Sequence, residues 1–251
     1  MANNPTNPNL PGLLVTRPDP AGEEFVHSLS AELRAGLQIV ISPLLELETL
    51  IDDLDLRTAK GVIFTSKAAV RALRGIAPAI RPPAYCVGQA TCDAATEFGW
   101  VAHRMGQDAE SLISGLLATR PDAPLLHVRG RHARGDIAMH LRQAGLPCEE
   151  AIAYDQTLQP LTKDARVLLT SDREIIVPLF SPRTARQFAD TCPQGGRLHL
   201  IAMSKAVAHS VKHMNYSSLI VTPTPDAAAM RAAVTDCAAA LHRVEGGGDA
   251  Q

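Results

Sequence analysis

The sequence has no marked excess of either charge. Lys and Arg together number 24, against 26 for Asp and Glu, so the net charge is -2. Domains that bind nucleic acid are usually basic. The balance therefore argues against general binding of polyanions and leaves room only for a local basic pocket.

The sequence also lacks paired cysteines. Its five cysteines are scattered, and they form neither a CxxC pair nor a Cys/His cluster with zinc-site spacing. Reduced thiols in a cytoplasmic protein are the simplest interpretation. His209 and His213 lie four apart on a predicted helix, but without further ligands this spacing favours an exposed face over a metal site.

Long apolar stretches are missing as well. No run approaches the roughly 18 residues that a membrane span needs. Residues 1–12 are polar and rich in Pro and Asn, without the apolar core of a signal peptide, so we expect a disordered lead-in. The glycine-rich residues 244–251 predict a flexible tail.

One construction occurs twice in the chain. In VIFTSKAAVRAL, residues 62–73, an apolar strand ends at Thr65 and Ser66, and a helical pattern begins at once. VPLFSPRTARQF, residues 177–188, repeats this with Ser181. Serine in this place caps the following helix. Short apolar runs alternate with helical patterns along the whole chain, which predicts an α/β fold with parallel sheets.

The two halves of the chain can be overlaid as a duplication. Four landmarks recur in order at a nearly constant offset. They are Leu13-Leu14 with Leu125-Leu126, Ser66 with Ser181, Val87-Gly88 with Ile201-Ala202, and Asp108-Ala109 with Asp226-Ala227. Each repeat has a front part of strand, helix and strand, an extended connector (42–50 or 151–158), and a rear part of three strand–helix units. The pattern fits both two linear repeats and an exchange of parts between two domains.

A series of short motifs, taken in order, resembles the uroporphyrinogen-III synthase family. The motifs are LLVTRP (13–18), SPLLEL (42–47), FTSKAAV (64–70), VGQAT (87–91), LLHVRG (125–130) with the basic loop after it, AYDQT (153–157), FSPRTA (180–185) and TPTPDAAAM (222–230). The resemblance extends from Leu13 to about His242.

The resemblance implies two similar parallel-sheet domains, flavodoxin-like or Rossmann-like, joined by a two-stranded β ladder with the active site in the interdomain cleft. It implies an exchange, with residues 1–44 and 157–251 in one domain, 49–152 in the other, and connectors at about 44–49 and 152–157. The implied activity is that of a cofactor-free hydro-lyase of haem and other tetrapyrrole biosynthesis. Linear hydroxymethylbilane loses water and closes to uroporphyrinogen III, with its last pyrrole ring inverted through a spiro intermediate.

The same resemblance implies a monomer that binds neither nucleic acid nor membrane. It leaves room for a transient contact with the preceding enzyme of the pathway. The expected substrate carries eight carboxylates, so its site must supply many hydrogen-bond donors. In parallel sheets, ligands bind at the carboxyl ends of strands, where helix N-termini favour anions.

The candidate substrate-binding residues follow predicted strand ends. The hydroxyl candidates are Ser66, Thr91 and Ser181, for which ordinary helix capping is the alternative. The basic candidates are Arg17, Lys67, Arg129, Arg131, Arg134 and Arg183, for which solvated surface charge is the alternative. Two glycines are also candidates for substrate binding. They are Gly88, in a tight turn, and Gly130, in the basic loop.

Tyr154 is the candidate catalytic residue, because the family has a tyrosine near the cleft at this connector. It would donate a proton to the departing hydroxyl as a general acid, while packing on the ladder is the alternative. No catalytic triad or carboxylate pair is visible, so we expect catalysis to rest mostly on positioning.

The second repeat departs from the family pattern at one place. Where the first repeat reads VGQAT, the second reads IAMSK, with Ala202 at the glycine position. Ser204 keeps a hydroxyl there and Lys205 adds a charge, so both are included as substrate-binding candidates.

Two other classes of function fit parts of this pattern. A non-catalytic two-domain protein that closes on an anionic ligand by hinge motion would show the same basic rims. A flavodoxin-like nucleotide-binding protein is disfavoured, because the chain has neither GxGxxG nor a Walker loop.

Overall fold

The computed structural model describes residues 10–51, 55–74, 81–132, 135–193 and 197–246. The strands are β1 (Gly12–Val15), β2 (Gln38–Ile41), β3 (Leu45–Thr49), β4 (Gly61–Phe64), β5 (Ala84–Val87), β6 (Ala102–Gly106), β7 (Leu125–Gly130), β8 (Cys148–Leu158), β9 (Glu174–Leu179), β10 (Arg197–Ala202) and β11 (Ser218–Val221). The helices are α1 (Ala21–His27), α2 (Ala31–Ala35), α3 (Lys67–Ala72), α4 (Gln89–Glu97), α5 (Ala109–Thr119), α6 (Ile137–Gln143), α7 (Lys163–Leu169), α8 (Pro182–Thr191), α9 (Lys205–Ser210) and α10 (Ala227–Gly246). The predicted α/β alternation is confirmed.

The chain divides into two compact units. Unit 1 comprises residues 1–46 and 158–251, and unit 2 comprises residues 47–157. Strands β3 and β8 carry the chain from one unit to the other, and they are hydrogen-bonded neighbours in one sheet. The predicted connector 42–50 contains strand β3, and the predicted connector 151–158 lies within β8.

Each unit is built on one mostly parallel sheet. The order is β11-β10-β9-β1-β2 in one sheet and β3-β8-β7-β4-β5-β6 in the other. Five strands of each sheet follow the flavodoxin-like order 2-1-3-4-5, if counting in the second sheet starts at β7. The direction of winding reverses between β1 and β9 in unit 1 and between β7 and β4 in unit 2. These switch points are where open α/β sheets bind ligands.

The central strands pair across the two sequence repeats. In unit 1, β1 from the first half pairs in parallel with β9 from the second half. In unit 2, β4 from the first half pairs in parallel with β7 from the second half. The front part of each repeat therefore shares a sheet with the rear part of the other repeat.

The central strands are apolar because helices cover both faces of each sheet. Every residue of β1 and of β4 is buried. Adjacent residues of one strand belong to different core clusters, so that Leu126 of β7 lies in one cluster and Leu125 in another. Parallel strands covered on both faces have this continuous apolar pattern.

The first predicted helix was wrong in one respect. The sequence pattern predicted one helix over residues 21–34, but α1 ends at His27 and α2 begins at Ala31. Ser30 begins the second helix, because its side chain accepts a hydrogen bond of 3.1 Å from the Leu33 N–H. A capping serine competes with a continuous helix by this local bond.

The sequence pattern also predicted a short helix around residues 51–58, and the described residues of this segment do not form one. Ile51 and residues 55–58 are not helical, while residues 52–54 lie outside the described residues. The Asp55 carboxylate instead accepts a hydrogen bond of 3.0 Å from the Arg57 N–H.

The predictions for the chain ends have different outcomes. Residues 1–9 of the predicted lead-in lie outside the described residues. The flexible tail was predicted to begin at residue 244, but α10 continues to Gly246. Within the described ranges, no helix combines the length and apolar character that a bilayer crossing needs.

His127 is a polar exception in the apolar centre of unit 2. It lies on β7 with no exposed surface, and neither ring nitrogen has a hydrogen-bond partner. Nδ1 is 3.8 Å from Glu150 Oε1, too far for a hydrogen bond. Burial lowers the pKa of His127 to about 4, with Glu150 favouring the charged form and Arg129 opposing it.

Acidification is expected to destabilise the fold through His127. The native pKa is about 4, whereas an unfolded histidine titrates near 6.5, so the unfolded chain gains the proton first as the pH falls. The neutral, buried His127 makes its full contribution to stability above about pH 6.5. This contribution, up to about 3 kcal/mol, is lost as the pH falls from about 6.5 to 4.

Urea unfolding at about pH 7.5 and about pH 5 measures this loss. Between these conditions, His127→Leu should lose about 2 kcal/mol less than the parent chain. His209→Leu, at an exposed histidine, is the control for the substitution itself. An equal loss in the parent and in His127→Leu would contradict the assignment.

Candidate functional site

Two of the predicted site residues meet at the switch point of unit 2. Ser66 follows β4 and caps α3, with its side chain accepting a hydrogen bond of 3.2 Å from the Ala69 N–H. The Ser66 Oγ lies 3.1 Å from the Tyr154 hydroxyl. Ser66 is half-buried, and Tyr154 is only 8% exposed. A phenol therefore meets a helix N-terminus at the carboxyl ends of the central strands.

Tyr154 reaches Ser66 across the strand that lies between them. It belongs to β8, which is separated from β4 by β7. The β7–β8 register shifts between Arg129 and Gly130, so that Gly130 is paired with Tyr154. The Arg131 N–H donates a hydrogen bond of 2.9 Å to the Tyr154 carbonyl oxygen and fixes the backbone there. The Tyr154 ring lies against Gly130, which is buried.

Arg129 faces a carboxylate of its own unit. Its Nε lies 2.7 Å from Glu150 Oε1 on β8, and its Nη1 donates to the Gly130 carbonyl oxygen at 3.1 Å. An anionic ligand at Arg129 would therefore compete with Glu150.

Arg131 has a similar partner further along β8. Its Nε lies 2.7 Å from Asp155 Oδ2. The Gln156 N–H bond, followed by the Arg131 bond, holds the pKa of Asp155 below its ordinary value. Asp155 is therefore a ready acceptor for this part of the loop. Arg134 lies outside the described residues.

The switch point of unit 1 contains another pair of predicted residues. Arg17 follows β1, and its guanidinium carbon lies 4.2 Å from the centroid of the Phe180 ring at the end of β9. Ser181 comes next and caps α8, accepting a hydrogen bond of 3.1 Å from the Thr184 N–H. Its hydroxyl is also 2.7 Å from Thr184 Oγ1. A basic group and a capped helix N-terminus again lie at the ends of central strands.

Lys67 and Arg183 belong to the first turns of these two capped helices. Lys67 is the first residue of α3, and Arg183 is the second residue of α8. Both are half-buried. Their positions add positive charge to helix ends that already favour anions.

Gly88 and Thr91 lie one strand away from the switch point of unit 2. Gly88 follows β5 with a φ of 72°, a conformation in which glycine avoids the strain of a Cβ. Its N–H donates to the Gly106 carbonyl oxygen at 2.8 Å. Thr91 is the third residue of α4 and is buried. The predicted tight turn is confirmed.

The second repeat keeps its helix cap without a glycine. Ala202 ends β10 and is fully buried. Ser204 caps α9 by accepting a hydrogen bond of 3.4 Å from the Val207 N–H, and Lys205 is exposed at the first position of that helix. The predicted helix to His213 is too long, since α9 ends at Ser210.

Sequence reasoning missed the partners of the predicted residues. Glu150 and Asp155 pair with the basic loop, and Phe180 lies under Arg17. The sequence did contain a signal for Glu150 and Asp155, because both lie on β8, the strand that ends the front part of the second repeat. Recognising it required the β7–β8 register, which the sequence pattern does not specify.

Comparison with known protein families decides among the classes of function. The family model HEM4, described as uroporphyrinogen-III synthase HemD, matches residues 28–232, which is most of the chain. The chain belongs to the uroporphyrinogen-III synthase family. It is therefore a hydro-lyase of tetrapyrrole biosynthesis with a tetrapyrrole substrate. A search of curated proteins gave no match.

Solved structures of uroporphyrinogen-III synthases share the fold. The enzyme from Helicobacter pylori 26695 matches with a TM-score of 0.62 and 16% identity, over 91% of this chain and 100% of that one. A mutant enzyme from the extremely thermophilic bacterium Thermus thermophilus matches with a TM-score of 0.51 and 12% identity, over 92% and 99%. At these identities the likeness shows the architecture alone.

Proposed function

We propose that the chain cyclises hydroxymethylbilane to uroporphyrinogen III with Tyr154 as the proton donor. The observation that carries this proposal is the 3.1 Å contact between the Tyr154 hydroxyl and Ser66 Oγ. It lies at the switch point of unit 2, where the fold favours ligand binding.

The hydrogen bonds of Ser66 support an orientation in which the Tyr154 O–H points toward the substrate. Ser66 Oγ accepts from the Ala69 N–H, so its own O–H can donate to the Tyr154 oxygen. The Tyr154 O–H is then available to a substrate hydroxyl. Ser66 thereby orients the phenol in addition to capping its helix.

The proposed reaction balances without a cofactor. Tyr154 donates its proton as the bond between the hydroxymethyl carbon and its oxygen breaks, and the oxygen leaves as water with the bonding electron pair. The pyrrole nitrogen stabilises the resulting cation, which a carbon of the last pyrrole ring attacks. The attacking carbon becomes a spiro centre, and its bond to the neighbouring bridge carbon then breaks, which leaves a cation at that bridge carbon. The unsubstituted α-carbon of the last ring attacks this cation, so that the ring is inverted, and the proton that this α-carbon loses returns to the Tyr154 phenolate.

The carboxylate arms of the substrate are proposed to bind at the two switch points. Ser66 and Ser181 cap helices whose first turns carry Lys67 and Arg183. Unpaired backbone N–H groups and the helix dipole favour carboxylates in such places. The other candidates retained in this role are Arg17, Gly88, Thr91, Arg129, Arg131, Arg134, Ser204 and Lys205.

The remaining expectations concern the state of the protein in the cell. We propose that the two units are the two domains of the family and that the enzyme acts as a cytoplasmic monomer. The five cysteines are free thiols, which fits a reducing compartment.

The isomer of the product tests the proposed activity directly. Purified protein is supplied with enzymatically generated hydroxymethylbilane, and the uroporphyrin I and III isomers are separated after oxidation. We expect isomer III to predominate. Isomer I alone, at the level of a protein-free reaction, would refute synthase activity and favour a non-catalytic binding protein.

Tyr154→Phe should lower kcat about 100-fold while leaving KM nearly unchanged, because a general acid contributes on this scale. Steady-state kinetics of isomer III formation give both constants. Tyr85→Phe is the control, since Tyr85 is another tyrosine of unit 2, on β5. An unchanged kcat in Tyr154→Phe would exclude the acid role, and complete loss of turnover would contradict a mechanism based mostly on positioning.

Ser66→Ala combined with Ser181→Ala should raise KM about tenfold or more, because two carboxylate-binding hydroxyls are lost. Ser30→Ala is the matched control, since Ser30 caps α2 through the same kind of bond. Each variant loses about 1 kcal/mol of stability per cap, which urea unfolding measures separately. If KM in the double variant equals that of Ser30→Ala, these two serines do not bind the carboxylate arms of the substrate.

A further inference from the structure

We propose that Gly130 is a positioning residue for Tyr154, and that its missing side chain is the opening through which the phenol reaches Ser66. This inference rests on the proposed role of Tyr154. It gives Gly130 a task different from direct binding of substrate.

The space above Gly130 is filled by the Tyr154 ring. A Cβ built at Gly130 would lie 2.6 Å from Tyr154 Cζ, 2.7 Å from Cε2 and 3.0 Å from the hydroxyl oxygen. The first two separations are shorter than any real Cβ contact. The part of the ring that carries the hydroxyl is therefore the part that a side chain at Gly130 would displace.

The requirement at Gly130 is one of space and not of backbone conformation. The glycines with positive φ among the described residues are Gly88, Gly99, Gly135 and Gly145, and Gly130 is not one of them. Alanine can therefore adopt its backbone angles without the strain of the left-handed region. Any effect of alanine here comes from the ring that it meets.

Tyr154 has little freedom to move away from an added methyl group. It is 8% exposed and belongs to an apolar cluster with Leu126 and Val128 of β7. Its carbonyl oxygen accepts the Arg131 N–H bond of 2.9 Å. A displacement of the ring would stretch the 3.1 Å contact with Ser66, and at about 3.6 Å such a contact is no longer a hydrogen bond.

Unit 2 contains a second glycine with the same kind of contact, which provides a matched control. A Cβ at Gly61 on β4 would lie 2.6 Å from Tyr85 Cε2 and 2.8 Å from Leu125 Cδ2. Tyr85 contacts His103, with ring centroids 5.9 Å apart, and has no place in the proposed chemistry. Gly61→Ala therefore introduces a comparable clash with a tyrosine that does not act on substrate.

The experiment uses the full chain labelled with 3-fluorotyrosine. Its three tyrosines give three ¹⁹F resonances, which Tyr85→Phe, Tyr154→Phe and Tyr216→Phe assign. Gly130→Ala should shift the Tyr154 resonance, lower kcat about as far as Tyr154→Phe does, and leave KM within about twofold. Gly61→Ala should shift the Tyr85 resonance and keep the parent's kcat.

A double variant protects the test against simple misfolding. Tyr154→Ala removes the ring, so adding Gly130→Ala to it should cause no further loss of stability or activity. A full additional loss would overturn the proposal. An unshifted Tyr154 resonance in Gly130→Ala would overturn it too, and a raised KM with unchanged kcat would instead make Gly130 a substrate contact.

Failure of the proposed function gives a different result. If Tyr154→Phe retains full activity, the acid role is wrong, yet the ¹⁹F resonances still report whether Gly130 sets the position of the ring. In that case a shifted resonance with full activity in Gly130→Ala would remove the catalytic part of this inference.

Discussion

The pairing of strands from different halves of the chain is the constraint on which the structure depends. At the centre of unit 1, β1 lies beside β9, and at the centre of unit 2, β7 lies beside β4. These strands are buried on both faces, so they contribute a large share of the apolar burial that stabilises a domain. Neither half of the sequence contains the central strands of a complete sheet. The duplication in the sequence is therefore not the unit of folding.

The same pairing brings the polar candidate residues together at the strand ends. Strands that are buried along their length can present polar groups only where they stop, and parallel strands stop at the same edge. Ser66, Arg17 and Ser181 follow three of the four central strands and lie at the two switch points. The predicted candidates thus gather at particular edges because of topology, although their positions in the sequence are far apart.

The elements could be predicted because they depend on local patterns. The sequence pattern predicts strands over residues 84–87 and 218–221, and β5 and β11 have these bounds. Ser66 and Ser181 cap helices as the serine positions indicated. The contact between Ser66 and Tyr154 could not be predicted in the same way. It depends on β8, β7 and β4 being neighbours and on a register shift at Gly130. Likewise, the ion pairs of Arg129 and Arg131 arise from strand pairing, so a basic loop that resembled open surface charge is partly neutralised within its own unit.

The division of the chain also has a consequence for its synthesis on the ribosome. Unit 2 is a single continuous segment, 47–157, so all of it is synthesised before the rest of unit 1. The first strand, GLLV, is apolar along its whole length and must wait for β9 before its second edge is paired. During that interval this edge of β1 lacks its native partner strand. The order of translation thus makes unit 1 the later of the two to be completed.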